Sequence, residues 1–506
     1  MSTRREFLKS VAAVGAATWA VGSRGARVPG AERGANEAIR VGVVGLRGRG
    51  QLHIEMVTKI PGFQLVAVCD PDQQYVDREL DAASKRGQKL SAFRDVRRLL
   101  ERSDIDAITV ATPNHWHALA GIWACQAGKD AYIEKPVSHN VWEGRQLVNA
   151  ARKYGRIVQA GTQARANPDL IEAVDWLRAG HLGRIRCALG FCYKPRLPIG
   201  KLGNGTIPTT LDYDLWTGPA PLEPLARTSL HYDWHWIYAY GNGDLGNQGI
   251  HEMDIARWCL GYGELSPRVL SIGGRLGYVD DGETPNTQLV YHAYDGPPLI
   301  FEVRGLPQAK AFHCGEDSWR RNMDVPDGFD VPRGVGVSVV CEGGRLIVIE
   351  GGESLFAVDP VGKLVRRFDR VDPLWGKGWS KGDHFTFQNW LTAIRSRSAA
   401  ELKADISEGH LSSALCHMGM ISHRVGHQVS ASEIDEAIKE NPLHADRFAS
   451  FREHLARNGV DVTTPCVTLG SWLNMNPQTE RFVGNDQANA LLRRDYRPPF
   501  VVPEIG

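Results

Sequence analysis

IRVGVVGLRGRGQLHIEMV, residues 39–57, is the stretch that predicts the fold of the first part of the chain. Residues 39–45 are rich in β-branched side chains and end at a glycine, which is typical of a buried strand, and an amphipathic helical pattern follows. The turn GLRGRG lies between them. Because a glycine-rich turn between strand and helix lets backbone N–H groups and the helix dipole meet a pyrophosphate, we predict a dinucleotide site. Its predicted cofactor contacts are Gly45, Arg47, Gly48, Arg49 and Gly50.

A second apolar run, FQLVAVCD, ends at Asp70. A carboxylate at the end of this strand accepts hydrogen bonds from ribose hydroxyls, so the sequence favours NAD over NADP as the cofactor. Arg47 stands where the usual G-x-G-x-x-G motif has a glycine. It could lie over the phosphates or reach a 2′-phosphate, and the second possibility leaves NADP open.

Three further strand patterns alternate with helical stretches, at residues 105–117, 130–136 and 155–163. This alternation predicts a doubly wound parallel sheet of the Rossmann type, whose ligand lies at the carboxyl ends of the strands. Polar residues at these ends are therefore predicted to contact the cofactor: Thr112, Asn114, His115, His117, Glu134, Lys135 and Gln163.

The second part of the chain has a different pattern. Residues 183–196 alternate apolar and polar side chains like a half-buried strand, and several strand patterns follow as far as residue 350. We predict an α/β protein in which the Rossmann domain precedes an α+β domain with a large, mostly antiparallel open sheet. The predicted boundaries are 38–165 for the first domain, 166–430 for the second and 431–506 for a C-terminal extension.

EKP at residues 134–136, ATPNHWH and GNGDLGNQGIHEMDIARW (residues 241–258) resemble motifs of the Gfo/Idh/MocA oxidoreductases. The resemblance covers roughly residues 39–425. It implies that Lys135 and His251 are catalytic and face the nicotinamide and a sugar or polyol hydroxyl. It also implies an open sheet with one face over the nicotinamide and the other used for self-association, as a dimer or tetramer. The first aspartate of the family's helix motif falls on Asn247 here, and Asp254 matches the later one.

The chemistry of hydride transfer independently requires such residues. The sugar hydroxyl must lose a proton, so a histidine or lysine is needed within hydrogen-bond reach. Asn247 and His251 would share one helix face if the helix begins early enough. Burial would shift Lys135 toward neutrality, or it could hold the substrate oxygen as a cation. The alternatives are a phosphate-contacting or surface lysine and a histidine that merely starts a helix.

Two stretches are candidates for substrate binding, YKPR at residues 193–196 and HYDWHWIYAYG at residues 231–241. Aromatic rings stack on the apolar faces of sugars, and polar groups form hydrogen bonds with the sugar hydroxyls. The alternative is that these aromatic residues are core residues. The predicted substrate contacts are Tyr193, Lys194, Arg196, Trp234, His235, Trp236, Asn247 and His251. We predict no metal site, because the paired histidines 115/117 and 231/235 lack a converging third ligand and are interpreted as loop residues.

Residues 1–34 carry the basic start STRREFLK and then an apolar stretch too short to span a bilayer. This pattern predicts a twin-arginine export signal, with the export machinery as a partner and the periplasm as the destination. The nine cysteines form no C-x-x-C pair, which fits a protein that folds in the cytoplasm before export. The balance of 59 Lys+Arg against 58 Asp+Glu and the ordinary hydrophobic content argue against nucleic-acid binding and against a membrane-embedded chain.

The sequence therefore predicts an NAD(P)-dependent oxidoreductase that acts on CH–OH groups of a sugar or polyol with a tightly bound cofactor. Because the periplasm offers little free NAD, the cofactor should return to its starting state in each cycle. One alternative is a redox-neutral glycosidase, lyase or epimerase that works through a transient keto-sugar. Another is a non-catalytic sugar-binding relative, which Asn247 would favour.

Overall fold

The strand predicted at residue 39 lies at the centre of a six-stranded parallel sheet. The structure, a computed structural model, describes residues 38–306 except 202, 204, 226 and 228, and residues 334–506. The strands of this sheet are β1 Ile39–Val44, β2 Phe63–Cys69, β3 Ser91–Phe93, β4 Ala107–Val110, β5 Asp130–Ile133 and β6 Val158–Ala160. The intervening helices are α1 Arg49–Lys59, α2 Gln73–Lys85, α3 Val96–Leu100, α4 Asn114–Gln126 and α5 Val141–Lys153. The strand order β3-β2-β1-β4-β5-β6 confirms the doubly wound Rossmann arrangement.

The chain then crosses into a second sheet through further helices and strands. These elements are α6 Pro168–Arg178, β7 Ile185–Cys192, α7 Tyr213–Thr217, α8 Leu230–Asp233, α9 Gly243–Asn247, α10 Gly249–Leu260, β8 Arg268–Gly274, β9 Thr287–Ala293 and β10 Leu299–Arg304. After the undescribed residues 307–333 follow β11 Val335–Cys341, β12 Gly344–Ile349, β13 Ser354–Val358, β14 Leu364–Arg367, α11 Gly378–Ser396 and α12 Ile406–Arg424. The last elements are β15 His427–Val429, α13 Ala431–Ile438, α14 Pro442–Arg457, β16 Val467–Leu469, β17 Leu473–Asn476, β18 Arg481–Phe482 and α15 Asp486–Ala490.

Within the described residues, the second sheet has twelve strands. Its main order is β14-β13-β12-β11-β7-β10-β9-β8-β16-β15, while β17 pairs with β8 and with β18. Only β7 and β10 run parallel among the described pairs, and all the others are antiparallel. The prediction of a large, mostly antiparallel open sheet is therefore confirmed.

The prediction of a half-buried strand at residues 183–196 is wrong, because both faces of β7 are covered. Ala188 and Cys192 pack on one face in the core that contains Met253 of α10. Leu189 packs on the other face in a core with Phe448 of α14. Because this strand is enclosed between two helical layers, it is buried from Cys187 to Cys192 whatever its alternation of residue types.

The C-terminal extension packs on the rest of its own chain. Its helices α13 and α14 cover the outer face of the second sheet, which is the face that the resemblance assigns to self-association. Its last residues reach helices α4 and α5 of the Rossmann domain, where the ring of Phe500 lies 5.5 Å from that of Trp116 and the Ile505 N–H donates to Gln146 Oε1 at 2.6 Å. Among the described helices, none combines the length and apolar character that crossing a membrane requires.

Candidate functional site

A cleft of about 360 Å³ opens at the carboxyl ends of β1, β2, β4 and β5. Most of the predicted cofactor contacts line it: Gly45, Arg47, Gly48, Arg49, Asp70, Thr112, Asn114, His117, Glu134 and Lys135. The predicted substrate contacts that line it are Trp234, His235 and Asn247. The structure therefore brings the end of the Rossmann sheet and the predicted substrate segment to one opening.

The glycine turn has the tight geometry that its sequence predicts. Gly45 has φ +85°, and a Cβ there would lie 2.6 Å from the Ala111 carbonyl oxygen. A Cβ at Gly50 would lie 1.9 Å from the Gly45 carbonyl oxygen, so only glycine fits there. Gly48, in contrast, precedes α1 with φ +35° and has open space where a Cβ would stand. The turn thus leaves one exposed backbone position at a helix N-terminus, where a phosphate binds well.

Asp70 is held at the end of β2 by two backbone N–H groups. Leu46 donates to Oδ2 and Asp72 donates to Oδ1, both at 2.9 Å. Burial raises the pKa of Asp70 to about 6, and these two hydrogen bonds oppose the rise. On the opposite side of the cleft the hydroxyl of Thr112 is buried without a partner among the described residues. A fixed carboxylate, an unpaired hydroxyl and the open Gly48 together fit a dinucleotide.

Arg47 lies on the rim of the cleft. Its guanidinium lies 5.1 Å from the centre of the Tyr75 ring, and the side chain is exposed. This position leaves the guanidinium near the outer end of the cleft, on the side of Asp70.

Arg49 contacts two carboxylates. Its Nε donates to Glu134 at 2.8 Å, and Nη2 and Nη1 donate to the two oxygens of Asp383 at 2.8 and 3.1 Å. His53 Nε2 lies 3.1 Å from the same Glu134 oxygen. Burial alone would raise the pKa of Glu134, but Arg49, His53 and Lys135 hold it well below its ordinary value. Glu134 is therefore a fixed anion beneath the cleft.

Lys135 follows Glu134 and points across the cleft to α9. Its Nζ donates to the Asn247 carbonyl oxygen at 2.7 Å and approaches Oδ1 of the same residue at 3.4 Å. Burial lowers the pKa of Lys135 to about 8, although the charge of Glu134 opposes this. Over the residues that the structure describes, no carboxylate forms an ion pair with this ammonium.

His251 lies in α10 and is buried, with its ring 4.6 Å from that of Trp379. Its Nδ1 has no hydrogen-bond partner within the described part of the chain. Burial and the neighbouring charge of Lys135 keep the pKa of His251 well below its ordinary value, so the ring is neutral. Asn247 and His251 do not share a helix face, because α9 ends at Asn247 and α10 begins at Gly249.

Asp254, the later aspartate of the helix motif, does not contact His251. Its carboxylate accepts hydrogen bonds from Arg165 Nε at 2.9 Å and from the Ser412 hydroxyl at 2.6 Å. It is a buried structural carboxylate that ties α10 to α12.

The prediction that these histidines are loop residues is wrong for His115 and His117, since both lie on α4. His117 still lines the cleft, with its ring nitrogens 2.6 and 2.7 Å from the carbonyl oxygens of Pro136 and Thr112. His115 is fully buried and packs against Trp216, whose carbonyl oxygen lies 3.0 Å from Nε2. Among the described residues, no three ligand side chains converge as a metal site needs.

Gln163 and Gly50 also lie outside the lining of the cleft. Gln163 starts a short 3₁₀ helix and accepts a hydrogen bond from the Thr386 hydroxyl at 3.1 Å through its backbone carbonyl. Gly50 lets the turn close, as described above, without reaching the opening.

Several predicted substrate contacts serve the packing of the second sheet. The Tyr193 hydroxyl donates to Glu302 at 2.8 Å, and Arg196 donates to the buried Asp244 at 2.6 Å. Trp236 is also buried. Lys194 reaches toward the site instead, because its Nζ donates to Gln248 Oε1 at 3.3 Å beside α10.

Two family models match this chain. Residues 39–162 match the description "Oxidoreductase family, NAD-binding Rossmann fold", and residues 185–320 match "Oxidoreductase family, C-terminal alpha/beta domain". The chain belongs to the Gfo/Idh/MocA oxidoreductase family. Its first domain is an NAD-binding Rossmann domain, which confirms the predicted cofactor.

Curated relatives of this Gfo/Idh/MocA protein match over part of the chain. An alpha-N-acetylgalactosaminidase of Shewanella oneidensis is 29% identical over 154 residues, which are 29% of this chain and 34% of the relative. A "Glycosyl hydrolase family 109 protein 1" of Shewanella sp. (strain ANA-3) is 30% identical over 154 residues, with the same coverage. The match thus spans about a third of these relatives.

Solved structures of similar fold cover more of the chain. The WlbA dehydrogenase of Bordetella pertussis, in complex with NADH and UDP-GlcNAcA, has a TM-score of 0.53 at 19% identity and covers 75% of this chain and 95% of its own. A levoglucosan dehydrogenase in complex with NADH and levoglucosan has a TM-score of 0.56 at 14% identity and covers 87% and 99%. At these identities the likeness shows the fold alone.

Three site residues of this Gfo/Idh/MocA chain were not predicted from its sequence. His53 follows Arg49 by four positions on α1, and this helical spacing could have indicated that both face Glu134. Asp383 lies 334 positions from Arg49 and no local pattern links them. Trp379 lies at the start of α11, more than 120 positions after the helix motif that contains His251.

Proposed function

We propose that this protein is an NAD-dependent oxidoreductase that takes a hydride from a CH–OH group of a sugar or polyol. The observation that carries the proposal is Lys135, an ammonium beside the cleft with a pKa of about 8 and only neutral hydrogen-bond acceptors at Asn247. A group of this kind changes its protonation state near neutral pH, as a general base must.

NAD, when bound, supplies the hydride acceptor. The side chains of the protein then have to manage the hydroxyl proton. Neutral Lys135 accepts this proton, while the Asn247 carbonyl fixes the direction of the amine. Neutral His251 offers a buried ring nitrogen without a partner among the described residues and can hold the substrate oxygen or relay the proton.

Two segments, residues 210–216 and 231–235, support a cofactor that stays bound. Both contribute to the lining of the cleft, and the Gln73 N–H donates to the Thr210 carbonyl oxygen at 2.9 Å. His231 Nε2 also lies 3.1 Å from Asp72, next to the residue expected at the ribose. A cover with these contacts would slow cofactor exchange, which suits the proposed export to a compartment poor in NAD.

The direct test is a comparison of the purified protein with Lys135→Met. We expect denatured samples of both to release NAD(H) in mass spectrometry. Sugars and polyols that reduce the bound cofactor of the parent protein, read by absorbance, should act about 10²- to 10⁴-fold more slowly in the variant. Lys59→Met is the matched control, because Lys59 is an exposed lysine of α1 paired with Glu55. Undiminished reduction in Lys135→Met would contradict the proposal.

A redox-neutral glycosidase is the second candidate function. It is favoured by the relatives named for glycosyl hydrolase family 109 and alpha-N-acetylgalactosaminidase activity, which match 29% of this chain. The same lysine would serve a transient oxidation followed by elimination. Release of a sugar from an aryl glycoside without net NADH would support it, and sugar binding without turnover that is unchanged in Lys135→Met would instead indicate a binding protein.

Export by the twin-arginine route and a periplasmic location belong to the same proposal. Residues 1–34, which carry the signal, lie outside the described residues. Cell fractionation of the parent chain and of the variant with Arg4→Lys and Arg5→Lys tests the route. We expect the parent in the periplasm and the variant in the cytoplasm.

A further inference from the structure

The aromatic ring next to His251 belongs to a residue outside the segments predicted to bind substrate. Trp379 lies at the start of α11, and its ring centre is 4.6 Å from that of His251, at an interplanar angle of 48°. The Trp379 side chain is half-buried, whereas His251 is buried. The predicted stacking residue Trp236 is buried elsewhere, and the ring of Trp234 is covered by His235 at 3.7 Å.

The chain holds this indole in place from two sides. Its Nε1 donates to Glu350 Oε2 at 3.3 Å. Gly351 lies against the ring, and a Cβ there would approach the indole to 2.3 Å. Glu350 and Gly351 have φ values of +45° and +65°, so the turn that supports the indole has a conformation that L side chains rarely adopt. A non-glycine residue in this region is uncommon and costs conformational free energy.

We propose that Trp379 is the stacking platform for a pyranose ring and determines substrate specificity at the site of His251. The proposal rests on the proposed sugar chemistry of that site. A pyranose presents a face of C–H groups that packs on an aromatic ring, while its hydroxyls point outward to polar groups. With the indole fixed beside His251, the ring stacked on it would present a hydroxyl to the imidazole. Polyols without a ring have no such face, so their binding affinity should depend little on Trp379.

Two substitutions distinguish the effect of ring stacking from the effect of side-chain volume. Trp379→Phe keeps an aromatic face, and Trp379→Leu keeps apolar volume without one. Trp375→Leu is the matched control, because Trp375 is also half-buried, lies four positions earlier and stacks on His384 at 3.9 Å, away from His251. Sugar binding is read by quenching of tryptophan fluorescence in the parent protein and by isothermal titration in all variants. These readouts do not depend on turnover.

We expect pyranoses of a panel to bind about tenfold more weakly to Trp379→Leu, with binding largely restored in Trp379→Phe and unchanged in Trp375→Leu. KM should rise by the same factor while kcat changes little. Acyclic polyols of equal carbon number should lose less than pyranoses. Equal pyranose binding in Trp379→Leu and the parent, or equal losses in both tryptophan-to-leucine variants, would overturn the platform. Failure of the proposed function would show separately, as binding without cofactor reduction or glycoside cleavage.

Discussion

The ammonium of Lys135 donates a hydrogen bond of 2.7 Å to the backbone carbonyl of Asn247, where a related helix motif would place an aspartate. The carboxamide oxygen of the same residue lies 3.4 Å from Nζ. Both acceptors are neutral, so they orient the lysine without favouring its charged form as a carboxylate would. Burial is then the dominant influence, and it lowers the pKa of Lys135 to about 8.

Asn247→Asp should shift the pH profile of the reaction to higher pH. A carboxylate within about 4–6 Å favours the charged amine and typically shifts a pKa by about 1–3 units. The neutral, proton-accepting form of Lys135 would therefore need a higher pH. We expect the rise of kcat/KM with pH to occur at a pH that is at least about one unit higher than in the parent protein. An unchanged profile would exclude Lys135 as the base.

Gly48→Ala should weaken cofactor binding without unfolding the protein. A Cβ at Gly48 meets nothing within 4 Å, yet this is the open backbone position of the glycine turn. The bound NAD in the purified variant should fall, and the dissociation constant measured by titration should rise about tenfold, since a methyl group would keep phosphate from the backbone. Gly87→Ala is the matched control, because Gly87 also has a positive φ and open space but lies in a surface turn. Equal effects of both changes would attribute the loss to backbone strain.

Local patterns placed the predicted residues of the Rossmann half at one edge of the sheet. The glycine turn, Asp70 and the residues of the EKP motif are each fixed by the strand that precedes them, and strand ends in a parallel sheet meet at one edge. The pattern of residues 193–196 and 231–241 was less informative. Alternating apolar residues do not show which face of a strand meets a ligand, and Tyr193 faces Glu302 in the core.

Long-range contacts could not be predicted from the same patterns. The pairing of Arg49 with Asp383 joins α1 to a helix that begins more than 300 positions later, and the placement of Trp379 beside His251 depends on the same helix. Such contacts depend on the packing of the two sheets against α11. The break in the helix between Asn247 and His251 could not be predicted either, because the sequence GNQG permits one continuous helix as readily as two separate ones.

NAD affinity should fall with acidity below about pH 6. Burial raises the pKa of Asp70 to about 6, so its carboxyl becomes protonated as the pH falls through that value and loses acceptor capacity for a ribose hydroxyl. Each pH unit below the pKa should cost up to about tenfold in affinity. Equilibrium dialysis of NAD at several pH values measures this. In Asp70→Asn the NAD affinity should be lower and should not change with pH over this range. If the affinity of that variant falls with pH as it does in the parent, the titrating group is not Asp70.

Asp70 should affect folding stability and NAD affinity in opposite directions as the pH changes. A carboxyl whose folded pKa lies above its unfolded value of about 3.9 binds more protons in the folded state between these two pH values. The free energy of unfolding contributed by Asp70 therefore decreases as the pH rises from about 4 to about 6. Asp70→Asn should remove this decrease, which urea unfolding at fixed pH values can detect.

Asp383→Asn should destabilise the protein more than the loss of a surface ion pair does. The carboxylate of Asp383 is buried and accepts two hydrogen bonds from Arg49, whose side chain is one-third exposed (33%). An amide can accept only one of them and places an NH₂ group against the cation, so we expect the free energy of unfolding to fall by about 1–3 kcal/mol. Asp104→Asn is the control, since Asp104 also accepts two hydrogen bonds from an arginine, Arg102, but its side chain is 48% exposed and exposed ion pairs are worth about 0.2–1 kcal/mol. Equal shifts of the urea midpoint for the two variants would show that the Arg49–Asp383 contact is energetically like a surface pair.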